Sequence, residues 1–360
     1  MIRPTMDIVV SHITALRWLV RNANPASGLS RPYRMKRLPQ TAPDVHTTSE
    51  ALRALSLPDN HMHLVVSSRA GRRPSGFALP HVWSANLPAG SVIPLDFPSL
   101  GNRLFVSSPE FVFLQLALTY PLSQAAYFGF ALCSSYRIDE WTPGGIALRV
   151  GNDTQLTTVA KIAAFLDRAG AVKGSARARR ALAFVRDNSF SPMESGLALS
   201  LGMPLRHGGF NLGDVTMNPT LKIRSSRQGP DRPAFVVRKP DLLIEARGRD
   251  GRTRRVAIDY DSSSFHAGET NILRDIERRN EFASLLGITH LSLTSSQVLD
   301  FRQYERIAVQ IRQTLGKRKD PARKAGEAQV DFEARQADAW HRQFKLWAEV
   351  VRSSDFRRLE

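Results

Sequence analysis

Arg254-Arg255-Val256-Ala257-Ile258-Asp259-Tyr260-Asp261-Ser262-Ser263-Ser264-Phe265-His266 is the stretch on which the reading of the chain turns. A short apolar run ends in two carboxylates, and a serine turn separates them from a histidine. Period-two alternation puts Asp259 and Asp261 on one face of a strand and Tyr260 on the other. Carboxylates crowded at a strand end repel unless a cation or a proton intervenes. Hard divalent ions take oxygen donors of this kind together with phosphate and water. The pattern points to a metal-dependent phosphodiester-cleaving site, or to the remains of one. The competing reading is a sheet edge guarded by charge.

Working upstream, residues 233–237 and 241–246 read as extended segments, and Gly248-Arg249-Asp250-Gly251 is a hairpin turn signal. Two turns compete. A three-residue Arg249-Asp250-Gly251 loop wants a left-handed residue at Gly251, closes on Gly248 and Arg252, and sets Asp241 opposite Asp259. A two-residue Asp250-Gly251 loop shifts the register by one and sends Asp241 to the other face. Further upstream, Ser191-Pro192-Met193-Glu194 is a helix start with a capping-box pattern. Glu194 either returns to the Ser191 N–H or projects as an acid into the site. The candidate metal ligands are thus Asp241, Asp259 and Glu194. His266 is the candidate proton carrier.

Downstream, residues 269–286 read as a helix bearing Arg274, Arg278 and Arg279, residues 288–294 as a strand, and residues 304–315 as another helix. Hairpin, helix, strand, helix gives a mixed sheet with helices packed on it, so the chain is expected to be α/β in the mixed α+β sense. Residues 203–232 read as irregular. Ahead of them, residues 175–187 form a basic helix whose Arg177 and Arg180 are candidates to meet a DNA backbone, and residues 157–169 form a helix. Ser108-Pro109-Glu110 opens a helix that is apolar all round and therefore buried. A strand at 7–10, a helix capped by Ser11, and a strand at 61–66 complete the first part. His12, His61 and His63 are read there as structural. Residues 317–324 are basic, and 326–351 form a helix with Trp340, Phe344 and Trp347 on one stripe. That stripe docks on the protein's own core, or else on a partner protein or a second copy.

Four segments follow: 1–150, an N-terminal α+β domain; 151–190, a helical connector; 191–318, the acid-bearing domain, to which the resemblance below gives a nuclease-like character as that of 1–150 is given a regulatory or DNA-binding one; and 319–360, a basic linker and helix. The net charge of +17 favours a polyanionic partner, DNA before membrane. Of the 50 Lys and Arg, 34 lie after residue 170, in the half with the acids. A single cysteine, Cys133, excludes a disulfide framework and a Cys-based zinc cluster. No apolar run is long enough to span a bilayer and no secretory signal is visible, so a cytoplasmic protein is expected.

The order S-P-M-E, P-D-L, I-D-Y-D-S with a following His, R-D-I-E-R-R-N and L-G-I-T-H-L-S-L-T resembles the PD-(D/E)XK nuclease superfamily over residues 176–316. It looks closest to the branch similar to very-short-patch-repair (Vsr-like) endonucleases. The resemblance implies a restriction-endonuclease-like core and hydrolysis of DNA with magnesium, or with manganese in its place. By it, Glu194, Asp241 and Asp259 match the acidic motif positions, Asp261 and His266 the acid and histidine that follow, and Asp275 and Arg278 the helix motif. The lysine of the wider pattern is replaced by Asp261, as in this branch. Asp259 stands where glutamate is common, and Ser262 where glycine is usual. The pieces "H-L-V-V-S-S-R-A" and "F-V-S-S-P-E-F-V-F-L-Q-L-A" resemble abortive-infection antitoxins of the AbiEi type over residues 10–140, which implies a DNA-binding or regulatory module. An inactive nuclease fold acting as an antitoxin-like regulator is the alternative function.

Overall fold

Two units divide the chain, Met1–Asp187 and Asn188–Glu360. The computed structural model describes residues 6–22, 35, 37–57, 60–97, 100–139, 141–142, 145–150, 154–224, 235–261, 282, 287–318 and 321–352. The protein is a mixed α+β fold. Among the described residues no helix is long and apolar enough to cross a membrane.

In the first unit, β1 (Asp7–Val10), β2 (Met62–Val66), β3 (Ala78–Val82), β4 (Val92–Leu95) and β5 (Arg103–Ser107) form one sheet in the order β3-β2-β1-β5-β4. Strand β1 runs parallel to β5 and antiparallel to β2. Its run Ile8-Val9-Val10 is buried throughout. Helix α1 (His12–Asn22) leaves the end of β1, and α2 (Val45–Ala54) starts at Asp44, whose side chain accepts from the Thr47 N–H. Helix α3 (Pro109–Thr119) starts as its sequence dictates: Ser108 accepts from the Phe111 N–H, and Pro109 fills the first turn. Phe111, Val112, Phe113 and Leu114 are all fully buried, which its all-round apolarity required. Helices α4 (Leu122–Leu132), α5 (Val159–Ala169) and α6 (Ser175–Leu182) complete the layer, with α5 and α6 packing on α3, and β6 (Tyr136–Ile138) and β7 (Ile146–Leu148) form a small antiparallel hairpin between α4 and α5. The helices of residues 151–187 therefore belong to this unit. The basic helix ends at Leu182, five residues short of its expected limit, with Phe184 and Val185 closing tighter turns.

In the second unit, α7 (Pro192–Gly202) precedes β8 (Asp214–Met217), β9 (Leu221–Arg224), β10 (Phe235–Arg238), β11 (Leu242–Arg247), β12 (Thr253–Asp261) and β13 (Thr289–Thr294). Strands β8 and β9 lie inside the stretch expected to be irregular. Each is four residues long, too short to raise a period-two signal above its Gly- and Asn-rich flanks. The main sheet has the order β13-β12-β11-β8, with β8, β11 and β12 antiparallel and β13 parallel to β12. Strands β9 and β10 pair only with each other among the described residues. A short α8 (Ser295–Leu299), α9 (Phe301–Thr314) and α10 (Gln329–Trp347) follow. The α10 stripe docks on its own unit: the rings of Trp340, Phe344 and Trp347 all contact Phe301, and the Trp347 indole donates to the Val298 carbonyl at 2.9 Å. A single π-helical turn, Ala348–Arg352, then crosses α7. Gly196 makes that crossing possible, because a Cβ there would stand 2.1 Å from the Val350 carbonyl oxygen.

Candidate active site

The β11–β12 hairpin fixes the acids. Leu242 pairs with Ile258 and Arg247 with Thr253, and the Gly248 N–H donates to the Arg252 carbonyl at 2.8 Å. The turn is the three-residue form, with Gly251 at φ +78°. A carboxylate cradle reinforces it, as Asp250 accepts from both terminal nitrogens of Arg254. Continuing the register by one rung sets Asp241 across from Asp259. On either side, Asp259 pairs with Ser292 of β13, and the Asn218 N–H donates to the Asp241 carbonyl at 2.9 Å. Ser292, Asp259, Asp241 and Asn218 thus form one row across the ends of four strands, on one face of the sheet.

That row is knitted by side chains. Asp241 Oδ2 accepts from the Tyr260 N–H at 2.7 Å, and Asp259 Oδ1 accepts from the Asp241 N–H at 3.2 Å. Each aspartate therefore closes the opened end of the ladder against the other strand's backbone. Asp259 Oδ2 lies 2.7 Å from His290 Nε2. His290 is almost wholly enclosed and stacks on the Phe282 ring at 4.8 Å. Its Nδ1 finds no hydrogen-bond partner among the described residues. Beside the acceptor-only carboxylate, the Nε2 of His290 is the donor of this bond.

Glu194 joins the row from α7. Ser191 caps that helix by accepting from the Glu194 N–H. The Glu194 carboxylate turns back as a cap, yet it accepts from the Phe190 N–H at 2.9 Å and the Ser191 hydroxyl at 3.0 Å, where the Ser191 N–H was expected. Its third donor is the Asn218 amide, at 2.8 Å. Asn218 sits at φ +44° and also donates to the Asn188 carbonyl. Cap and site are therefore not alternatives: one carboxylate does both. Burial, then the charge of Asp241, push the Glu194 carboxyl up to about 7, against the pull of its three hydrogen bonds.

The other expected residues are distributed as follows. Asp261 ends β12, exposed, on the Asp259 face. His266, Arg274, Asp275, Arg278 and Arg279 lie outside the described residues. Arg177 and Arg180 sit on α6 in the first unit. Arg177 is half-buried, and its guanidinium donates to the Tyr120 carbonyl at 2.7 Å just past the end of α3. Arg180 is exposed. Sequence reasoning missed His290 and Asn218. The alternation of residues 288–294 set His290 and Ser292 on one face. Only the parallel pairing of β13 with β12 shows that this is the Asp259 face.

The acidic side chains of the row offer oxygen donors, which suits magnesium. Among the described residues, no group of three or more His, Cys, Asp or Glu side chains converges on a single metal position. The cap bonds of Glu194 and the cross-strand bonds of the two aspartates account for that.

A different constellation, which the sequence did not show, lies in the first unit. His63 Nδ1 is 2.9 Å from His81 Nε2, and the His12 ring stacks on His81 at 3.7 Å. The partner of His63 is His81, not His61. Burial and mutual repulsion hold His12 well below the usual histidine range, and burial first of all holds His63 and His81 down at about 4. Three neutral stacked rings are core, as the sequence reading had His12 and His63.

Comparisons of the chain with models of protein families, with the curated proteins and with the solved structures return no match.

Proposed function

We propose that the second unit hydrolyses DNA phosphodiester bonds with the help of a divalent cation, as a restriction-endonuclease-like domain of the Vsr-like kind. One observation carries this reading: Asp241 and Asp259 face each other at the strand ends and bond across the two strands, and Asn218 of the same row donates to the buried Glu194 carboxylate. The hairpin flanked by β8 and a parallel β13, with α7 ahead and α9 behind, supports it. So does the net charge of +17, which suits a polyanionic substrate.

Asp241, Asp259 and Glu194 would hold magnesium, or manganese in its place, and the ion would polarise the phosphoryl group and acidify a water. The chain's own residues do the rest. His290 donates to Asp259 Oδ2 and fixes the direction of that carboxylate. Asn218 ties Glu194 to the same row. His266 and the arginines Arg274, Arg278 and Arg279 are proposed as proton carrier and phosphate contacts.

The second reading is a DNA-binding, antitoxin-like regulator with a silent site. It is favoured by the internal bonds that already occupy Glu194, Asp241 and Asp259 and by Asp261 standing in place of the wider pattern's lysine. Supercoiled plasmid with magnesium or manganese separates the two. The nuclease reading expects nicking by the wild type, and a loss of about a hundredfold or more in Asp259→Ala with DNA affinity kept. Tight binding without nicking in either protein leaves only the regulator.

A further inference from the structure

The β9–β10 ribbon has two unlike faces. Its register pairs Leu221 with Arg238, Lys222 with Val237 and Phe235 with Arg224. On one face, Leu221 packs against the cluster of Ala257, Phe282 and Ile288, beside Leu243. Ala257 and Leu243 lie one pleat repeat back from Asp259 and Asp241, so this contact moors the ribbon to the acid-bearing face of the sheet. The other face carries Phe235 and Val237, 55% and 48% exposed, with Lys222 exposed beside Val237. Two large apolar side chains and a cation thus stand together in water on one face of a short ribbon.

Charge identifies the contact. Residues 221–224 and 235–239 include Lys222, Arg224, Arg238 and Lys239, and no acid. Cations without an acid call for a polyanion, and the acid row four residues further on favours DNA over an anionic membrane. Two strands about 4.8 Å apart fit a B-DNA major groove about 12 Å wide, where apolar side chains meet thymine methyl groups and cations meet the flanking phosphates. Asp241 follows Val237 by four residues, at most about 13 Å of extended chain. The ribbon face and the acid row are therefore within about one groove width of each other.

We propose that this face of the β9–β10 ribbon is a DNA-reading arm. Phe235 and Val237 lie against base edges in the major groove, and Lys222 neutralises a backbone phosphate, beside the phosphodiester presented to the acid row. The inference rests on the DNA reading above, and the test separates the two. The full-length chain, with EDTA present to prevent cleavage, is titrated into a fluorescein-labelled duplex of mixed sequence, and anisotropy is followed across a salt series. The variants are Lys222→Gln and the double variant Phe235→Ser with Val237→Ser. All three positions are exposed, so unfolding midpoints are expected to stay at the wild-type value.

The double variant is expected to bind about tenfold more weakly with an unchanged salt slope. Lys222→Gln is expected to lower the slope of log K against log salt by about 1. Wild-type affinity and slope in both variants overturn the proposal. So does a double variant that loses only self-association in light scattering, which assigns the face to a second copy of the chain. If the wild type binds and nicks DNA while the ribbon variants are indifferent, the inference alone falls. If the wild type binds without nicking and the ribbon variants weaken binding, the nuclease reading falls and the arm stands. A wild type that binds no duplex overturns both.

Discussion

Replacing Glu194 by glutamine tests the electrostatics of the acid row without touching a metal or a substrate. The Glu194 carboxyl is raised from its ordinary 4.5 to about 7 by burial and by Asp241. Between those two values the folded unit holds a proton that the unfolded chain has released. Stability therefore falls as pH rises through the window. A shift of that size corresponds to about 3 kcal/mol in full, and Glu194 is buried deeply enough for little of it to be screened. Glutamine cannot ionise, so it abolishes this loss. Its carbonyl, set at the Oε2 position, still accepts from both the Phe190 N–H and the Asn218 amide, but its NH2 group replaces Oε1 and takes away the acceptor of the Ser191 hydroxyl, which costs about 1–2 kcal/mol. The expected result is a crossing: Glu194→Gln is less stable than the wild type by about 1–2 kcal/mol near pH 4.5, and more stable by about 1–2 kcal/mol near pH 8. Urea unfolding at a series of pH values, with amide exchange of peptides from residues 192–217 to single out the second unit, measures it. A variant that keeps the wild-type slope between pH 4.5 and 7 would refute the reasoning, because the proton lost in that window would then belong to another group.

The first unit should show the opposite slope. His63 and His81, held at about 4 in the fold against 6.5 ordinarily, make the unfolded chain the better proton acceptor. Their contribution is complete above about pH 6.5 and disappears as pH falls towards 4. After discounting for their partial exposure it amounts to about 2 kcal/mol for the pair. Amide exchange of β2 and β3 should accelerate over that range, and His81→Phe should flatten the response. Gly196→Ala should destabilise the second unit by about 1–3 kcal/mol, since the new methyl meets the Val350 carbonyl oxygen. A calorimetric trace unchanged from the wild type would show that the crossing of α7 is looser than described.

The hairpin was legible from sequence because everything that sets it is local. Gly251 suits either of the two competing turns, however, and only the bond from the Gly248 N–H to the Arg252 carbonyl selects the three-residue form that joins Asp241 to Asp259 in one rung. The starts of α3 and α7 were legible for the same reason: Ser108 and Ser191 cap the helices that they precede. His290, Asn218 and His81 were not, because each acquires its meaning from a strand remote in the chain. His290 needs β13 laid parallel to β12. His81 needs β3 laid parallel to β2. The β9–β10 ribbon was hidden differently, since Lys222 and Val237 form a surface only once two short segments pair. The dual role of Glu194 was missed because a cap and a site were weighed as rivals, while the fold brings Asn218 to a carboxylate that is already capping.

The π-helical turn at Ala348–Arg352 has a consequence in time as well as in space. It lies across Gly196, two residues from Glu194, yet the ribosome makes it some 150 residues later. Until it arrives, α7 lacks its cover and Phe301 lacks the rings of Trp340, Phe344 and Trp347. The acid row can be paired by β11 and β12 long before its helical member is clamped. The clamping of the helix that carries Glu194 therefore waits for residues 348–352. A messenger broken short of codon 348 would yield a product with the hairpin but without that clamp.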